Sequence, residues 1–142
     1  MGGRESKFRG ELERLRTELD CDFCALALLD NNEYPLRWKL ASGSQNDRFL
    51  TMADKPGRGL SGTVMKVGRA MSLQVADLIR TRELHEYPIL ISEKLRSAYA
   101  VPLMHDGKVN GILLVGDRKK RIYRPEDRAS ASLGGERISM LC

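Results

Sequence analysis

The sequence has no apolar segment long enough to cross a membrane. Its most apolar runs, such as residues 112–115, are far shorter than the roughly 20 residues that a membrane-spanning helix requires. No apolar stretch follows the first charged residues, so the sequence predicts no secretory leader. We therefore expect a protein that works in the cytoplasm and has no membrane partner.

Cysteine and histidine are scarce, at three and two residues. An odd number of cysteines without framework spacing is typical of a reducing compartment. Cys21 and Cys24 form a Cys-x-x-Cys that opens a predicted strand, on which side chains three apart point to opposite faces. Only Cys142 remains, which cannot complete a zinc site, and His85 and His105 fit no metal-binding or catalytic pattern. We predict buried or half-buried thiols, no metal and no cofactor.

The chain also lacks internal repeats and low-complexity segments. Its 142 residues suffice for one domain with one core, and 42% hydrophobic with 30% charged residues is typical of a globular domain. The net charge of +5 is spread along the chain except for the basic cluster at 118–121, which has only Tyr123 nearby to stack on a base. We therefore expect a single domain over residues 1–142 and a solvated loop rather than a nucleic-acid site.

Both ends of the sequence have helical patterns. The first helix, over residues 5–19, has its apolar side chains at Phe8, Leu12, Leu15 and Leu19. It can pack on its own domain or against a second copy of the chain in a homodimer. At the other end, Pro125 and the acidic residues after it begin a helix over 125–141, which Gly134 and Gly135 weaken.

Between these helices the sequence predicts two antiparallel hairpins and a further strand. The strands are expected at residues 22–29, 36–41, 70–75, 97–104 and 109–116. Asp106 and Gly107 form a tight turn between the last two, and we expect Leu36, Trp38 and Leu40 on one face of the second strand. The predicted fold class is α+β, a central antiparallel sheet of about five or six strands with helices on its faces.

A glycine-rich turn precedes a short amphipathic helix that ends at Gly68. The apolar stripe of this helix consists of Leu60, Val64 and Val67. The amides of Leu60 and Ser61 lie at its start, where the positive end of the helix dipole favours a small anion. A tight turn without any ligand explains the same glycines.

Three segments resemble the GAF domain family. The first is 57–71, in which the glycine-rich turn and its helix lead to the tetrapeptide Gly-Arg-Ala-Met. The second is 98–103, and the third runs from Asp106 through the apolar segment 111–115. The resemblance covers nearly the whole chain and implies the GAF fold. GAF domains bind many ligands, so the fold alone does not name the ligand.

The sequence, which resembles a GAF domain and little else, is also similar to the NreA family of stand-alone nitrate receptors. In that family a tryptophan on the second strand and the starts of two later helices surround nitrate. This resemblance implies ligand-binding roles for Trp38, Leu60, Ser61, Tyr87, Pro88 and Ile89. It further implies a partner sensor histidine kinase of a two-component system that regulates nitrate respiration, and no catalysis. Ser61 departs from the small apolar residue of the family's pattern, so its hydroxyl can add a hydrogen bond or admit a larger ligand.

The chemistry of nitrate is consistent with that resemblance. Nitrate is flat, singly charged and weakly hydrated, so amide N–H groups at two helix starts can hold it without a buried Arg or Lys. Ser61 and Ile89 can donate from the backbone, whereas Pro88 has no N–H and can only shape the wall. Trp38 would offer an apolar wall or its indole N–H. We expect ligand to order the segment 76–95 and so change the surface that the kinase contacts.

Two other GAF functions are compatible with the sequence. Some GAF proteins reduce free methionine sulfoxide with cysteines around the pocket, but Cys21 and Cys24 belong to the first strand rather than to the segments at 71–94 that would cover it. A cyclic-nucleotide-binding GAF module would need a more polar pocket than Leu60 and the apolar run 89–91 provide.

Overall fold

A computed structural model, which describes residues 3–31 and 33–141, contains a six-stranded antiparallel sheet. The strands are β1 (Phe23–Asp30), β2 (Glu33–Ser42), β3 (Ala53–Asp54), β4 (Met71–Gln74), β5 (Ser97–His105) and β6 (Lys108–Asp117). Their order across the sheet is β3-β2-β1-β6-β5-β4, and each neighbouring pair is antiparallel. The predicted α+β architecture and both predicted hairpins are confirmed.

Helices cover both faces of this sheet. They are α1 (Gly3–Leu19), α2 (Val75–Arg80), α3 (Pro88–Ser92) and α4 (Pro125–Leu141). A further helix over residues 59–67, which we call the site helix, packs against β5 and β6. Among the described residues, no helix combines the length and the apolar character needed to cross a membrane.

The sheet lies between two apolar cores, so its central strand β1 buries side chains on both of its faces. One face of the sheet is covered by the chain between β2 and β5, and we call it the site face. Its core includes Phe23, Ala25 and Ala27. Cys24 and Leu26 face the core beneath α1 and α4, which we call the helix face. All five side chains are fully buried, so the prediction of a central strand is confirmed.

The second strand departs from its predicted alternation at Lys39. Leu26 pairs with Leu40 whereas Ala27 pairs with Trp38, so β2 accommodates one extra residue as a β-bulge. The bulge reverses the alternation, and Trp38 packs on the site face while Leu40 packs on the helix face. The prediction that Leu40 shares a face with the two apolar residues before it is therefore wrong.

The first helix packs on its own domain, beside α4 on the helix face. Its four predicted apolar positions are buried: Phe8, Leu12, Leu15 and Leu19. Gly134 of α4 allows this close packing, because a Cβ at that position would lie only 2.4 Å from Leu15 Cδ1. The glycine that lowers helix propensity therefore serves the contact between the two terminal helices.

Candidate functional site

The site helix ends at Gly68, whose φ of +74° is the left-handed conformation that favours glycine. The helix widens to a π-type turn over Ser61–Met65. This turn rotates the apolar stripe, so that Leu60 and Val64 remain buried while Val67 is 64% exposed. The prediction that Val67 belongs to the buried stripe is therefore wrong.

Gly59 sets the distance between the site helix and the chain that leads into α3. Its φ is +49°, and a Cβ at this position would lie 2.2 Å from the backbone oxygen of Glu86. Only glycine fits both the backbone conformation and the close approach. Glu86 is followed by Tyr87 and the first residue of α3, so the contact brings the starts of the two helices next to each other.

Most of the predicted site residues lie together on the site face. One buried cluster contains Trp38, Leu60, Tyr87 and Ile89. Ser61, the neighbour of Leu60 in the chain, is only 2% exposed. Pro88 is exposed instead, and it lines a surface pocket outside the cluster. The structure thus brings the starts of the site helix and of α3 close to the tryptophan of β2, while a ligand-binding role for these residues stays a prediction.

Two hydrogen-bond donors in this region have no partner among the described residues. The Ser61 Oγ atom is buried and makes no hydrogen bond. A buried polar group without a partner costs about 1–3 kcal/mol. The amide of Ile89 lies in the first turn of α3, where the helix itself supplies no acceptor, and no acceptor elsewhere in the described chain replaces it. Both donors belong to residues for which the resemblance implies a ligand-binding role.

Two carboxylates at the start of the site helix were missed by the sequence analysis. Asp54 Oδ2 accepts the amide N–H of Leu60, and Glu86 Oε2 accepts that of Gly59, each at 3.3 Å. The amide of Ser61 donates to a backbone oxygen of the preceding turn at 2.9 Å. The first amides of the site helix therefore have partners from the protein itself, and an external anion must displace Asp54 to reach that of Leu60.

Asp54 is poised to titrate at mildly acidic pH. Burial raises the pKa of Asp54 to about 6, aided by the nearby Glu86 carboxylate and opposed by the amides of Leu60 and Ser61. Burial also raises the pKa of the Tyr87 phenol, to which the surrounding carboxylates contribute. The candidate site thus contains a carboxylate whose charge is lost a little below neutral pH.

A buried carboxylate at the end of α3 forms an ion pair with the residue after β6 and hydrogen bonds with the loop after β2. Glu93 is fully buried and accepts hydrogen bonds from the Arg118 guanidinium at 2.8 Å and the Gln45 amide at 3.2 Å. The Ser44 hydroxyl donates to the same carboxylate. Arg118 also donates to the backbone oxygens of Glu93 at 2.9 Å and Gly43 at 3.0 Å. The network thereby joins the end of α3, the helix that carries Ile89, to the loop that follows the strand of Trp38.

The basic cluster at 118–121 is partly neutralised within the protein. Besides the pairing of Arg118 with Glu93, Arg121 lies 3.2 Å from a carboxylate oxygen of Asp117 and 3.4 Å from one of Asp127. These contacts reduce the positive charge that the cluster presents to a polyanion.

The Cys-x-x-Cys pair lies on the helix face, across the sheet from the candidate site. Burial raises the pKa of Cys21 to about 11 and also raises the pKa of Cys24, so both are protonated thiols of low reactivity. The prediction of buried thiols is confirmed, whereas the prediction that they point to opposite faces is wrong, because Cys21 precedes β1 and turns into the same core. Cys142 lies outside the described residues, which contain no group of three metal-ligating side chains.

Comparison with known proteins identifies the family. Residues 9–140 match the family model described as GAF domain. The chain is similar to NreA of Staphylococcus aureus, characterised in a form mutated in its nitrate binding site, with 37% identity, a TM-score of 0.75, and coverage of 84% of this chain and 91% of that one. A hypothetical protein from S. aureus is 40% identical, with a TM-score of 0.73 and coverage of 81% and 95%. Among curated proteins, none matches the chain.

The fold extends to an enzyme of low sequence similarity. The type II free methionine-R-sulfoxide reductase of Thermoplasma acidophilum has a TM-score of 0.77 and covers 97% of this chain, with 90% of its own length covered. Its identity to this chain is 18%, at which the likeness shows the fold alone.

Proposed function

This chain belongs to the GAF domain family, and from that premise we propose that it is a nitrate receptor that reports to a sensor histidine kinase. The proposed receptor acts in the cytoplasm, in a two-component system that regulates nitrate respiration, and has neither a cofactor nor catalytic activity. The similarity to NreA at 37% identity supports this proposal. Its ligand-binding residues would be Trp38, Leu60, Ser61, Tyr87, Pro88 and Ile89.

The unpartnered hydroxyl of Ser61 is the observation that carries the proposal. Ser61 Oγ is buried beside an otherwise apolar cluster and has no acceptor in the described chain. A nitrate oxygen would accept its hydrogen bond and remove the cost of an unsatisfied buried group. The amide of Ile89 would supply a second donor, and Pro88, which has no N–H, would shape the outer wall.

The ligand chemistry fits a site with these donors and no buried cation. Nitrate spreads one negative charge over three oxygens, so its desolvation is less costly than that of a compact anion, and dipolar N–H and O–H groups can replace its hydration. The faces of the flat anion would contact apolar side chains of the cluster, Trp38 among them. The same residues offer few partners for a cyclic nucleotide, which carries a sugar, a base and a phosphate.

Signalling would depend on the segment 76–95, which contains most of α2 and all of α3 and lies over the site face. Nitrate held at the start of α3 would tighten this segment, and the kinase would distinguish the bound from the free surface. We expect nitrate to slow amide hydrogen exchange in 76–95 by about fivefold or more, while exchange in α1 stays unchanged. Equal exchange in the segment with and without saturating nitrate would contradict this mechanism of signalling.

The first experiment is a calorimetric titration of the full chain with nitrate, with chloride, iodide and cyclic GMP as comparisons. The chain contains one tryptophan, so the fluorescence of Trp38 reports on the site without labelling. Saturable nitrate binding with a change in this fluorescence is expected. Absence of nitrate binding to folded, ligand-free protein would overturn the receptor function, and turnover of methionine sulfoxide would replace it with the reductase.

Replacing Ser61 by alanine is expected to weaken nitrate binding by about tenfold, because one hydrogen bond to a charged ligand is lost. The same change removes an unsatisfied buried hydroxyl, so the ligand-free protein should become about 1 kcal/mol more stable. Ser6→Ala, on an exposed position of α1, controls for the higher helix propensity of alanine. Unchanged nitrate affinity in Ser61→Ala would exclude the hydroxyl from the site.

A further inference from the structure

We propose that the Asp54 carboxylate is an internal competitor of the anion at the start of the site helix, so that protonation of Asp54 strengthens anion binding. This inference rests on the proposed nitrate-receptor function and adds a proton-linked control to the same site. It follows from the hydrogen bonds at the helix start, where a carboxylate of the protein occupies a position suited to an external anion.

Carboxylates of the protein already accept the hydrogen bonds of two successive amides at the helix start. Leu60 N–H is held by Asp54 Oδ2 and Gly59 N–H by Glu86 Oε2, each at 3.3 Å. The buried, unpartnered hydroxyl of Ser61 is the next donor along the helix. An anion that takes the Ser61 hydroxyl and a helix-start amide meets the negative charge of Asp54 and replaces its hydrogen bond.

The groups around Asp54 do not cancel its charge. Lys55, Arg58, His85 and Glu86 line the same surface pocket as Asp54. The Tyr87 phenol is influenced by Asp54, and Glu83 lies beside Tyr87. Two basic side chains of this set face Glu86: Arg58 lies 3.8 Å and His85 lies 3.7 Å from its carboxylate. In the described part of the chain, no ion pair joins Asp54 itself to a basic side chain. The carboxylate therefore keeps its repulsion towards an incoming anion.

Protonation of Asp54 changes both its repulsion of the anion and its hydrogen bond to Leu60 N–H. When Asp54 takes up one proton from solvent, the neutral carboxyl group no longer repels the anion, and its hydrogen bond to Leu60 N–H becomes weaker. Above the pKa of about 6, anion binding should then be accompanied by uptake of close to one proton. The observed affinity follows the protonated fraction of Asp54, which is roughly ten times larger at pH 5 than at pH 7 for a pKa near 6.

Titrations of the full chain with nitrate between pH 5 and pH 8 test this inference. We expect the affinity to fall by about tenfold from pH 5 to pH 7, and calorimetry in buffers of different ionisation enthalpy to show proton uptake. Asp54→Asn should bind at pH 7 as tightly as the wild type at pH 5, with little pH dependence. His85→Gln is the matched control, because it removes the imidazole beside Glu86 and leaves Asp54 in place, and it should keep the pH dependence of the wild type.

The outcomes separate this inference from the receptor function. Nitrate binding that is equally tight from pH 5 to pH 8 would overturn the role of Asp54 and leave the receptor standing. A pH dependence that persists in Asp54→Asn, or that disappears in His85→Gln, would also overturn it. Absence of nitrate binding at every pH, in the wild type and in Asp54→Asn, would overturn the receptor function and this inference with it. Should Asp54→Asn fail to fold, the proton uptake of the wild type decides alone.

Discussion

Replacing Glu93 by alanine is expected to lower the free energy of unfolding by about 3–5 kcal/mol. The side chain is fully buried and accepts hydrogen bonds from Arg118, Ser44 and the amide of Gln45. Its removal leaves the half-buried guanidinium of Arg118 without its carboxylate and two further donors without an acceptor. The desolvation cost of those groups is then no longer offset, which is why breaking a buried pair costs far more than breaking an exposed one.

Glu18→Ala provides the matched control for this large effect. Glu18 forms an ion pair with Arg14 at 2.8 Å, the same distance as in the buried pair, but both side chains are at least 40% exposed. We expect a loss of less than about 1 kcal/mol, since water screens the exposed charges. Urea denaturation followed by circular dichroism measures both variants. Equal losses in Glu93→Ala and Glu18→Ala would show that burial of the Glu93 pair has no energetic consequence.

The Glu93 network also explains how a short helix can have a fixed position. Isolated helices of this length are not stable in water, so α3 depends on contacts made by its ends. Glu86 holds the approach to α3 against Gly59, and Glu93 holds its end against the loop after β2. The start of α3, which carries Ile89, is thereby fixed by polar contacts at both ends of the helix as well as by the apolar cluster.

Short-range signals in the sequence were sufficient to locate one turn and the ends of two helices. The turn at Asp106 and Gly107, with φ values of +51° and +76°, joins β5 to β6 as predicted. Pro88 begins α3, and Gly68 ends the site helix. In each case the backbone conformation follows from one or two residues with a strong intrinsic preference, so no knowledge of the tertiary structure was needed.

The errors arose where the regular period is interrupted. The β-bulge at Lys39 moves Leu40 to the helix face, and the π-type turn of the site helix exposes Val67. Each irregularity adds one residue and so shifts the side chains that follow it, whereas an analysis of periodicity assumes a constant repeat. No residue with a strong conformational preference marks the position of either irregularity in the sequence. Each is maintained by the packing of the rest of the chain.

The polar part of the candidate site was equally hidden from the sequence. Glu86 is 27 positions from its partner Gly59, and Asp54 lies in a two-residue strand without a motif. The resemblance to known receptors implied a site of mostly apolar side chains with hydrogen-bond donors from the backbone. It implied no carboxylate. The contacts of Asp54 and Glu86 follow from the close approach at Gly59, which only the folded chain displays.

Asp54→Asn is expected to raise the free energy of unfolding by about 3 kcal/mol at pH 7. The pKa of Asp54 is raised to about 6 in the folded protein, so the folded state holds a proton that the unfolded chain has already released. The resulting destabilisation is small below about pH 4, grows between pH 4 and pH 6, and is complete above that range. Asparagine carries no charge at any of these pH values and can still accept the hydrogen bond from Leu60.

The stability difference between Asp54→Asn and the wild type should therefore be below about 1 kcal/mol at pH 4 and be close to its full value at pH 7. Urea denaturation at both pH values measures it, and taking the difference removes the contributions of other titrating groups. Asp77→Asn, on the exposed surface of α2, should differ from the wild type by less than about 0.5 kcal/mol at either pH. A variant that is less stable than the wild type at pH 7 would mean that the carboxylate of Asp54 stabilises the helix start more than its burial costs. In that case an anion could not gain from displacing it, and the proton-linked competition would lose its energetic basis.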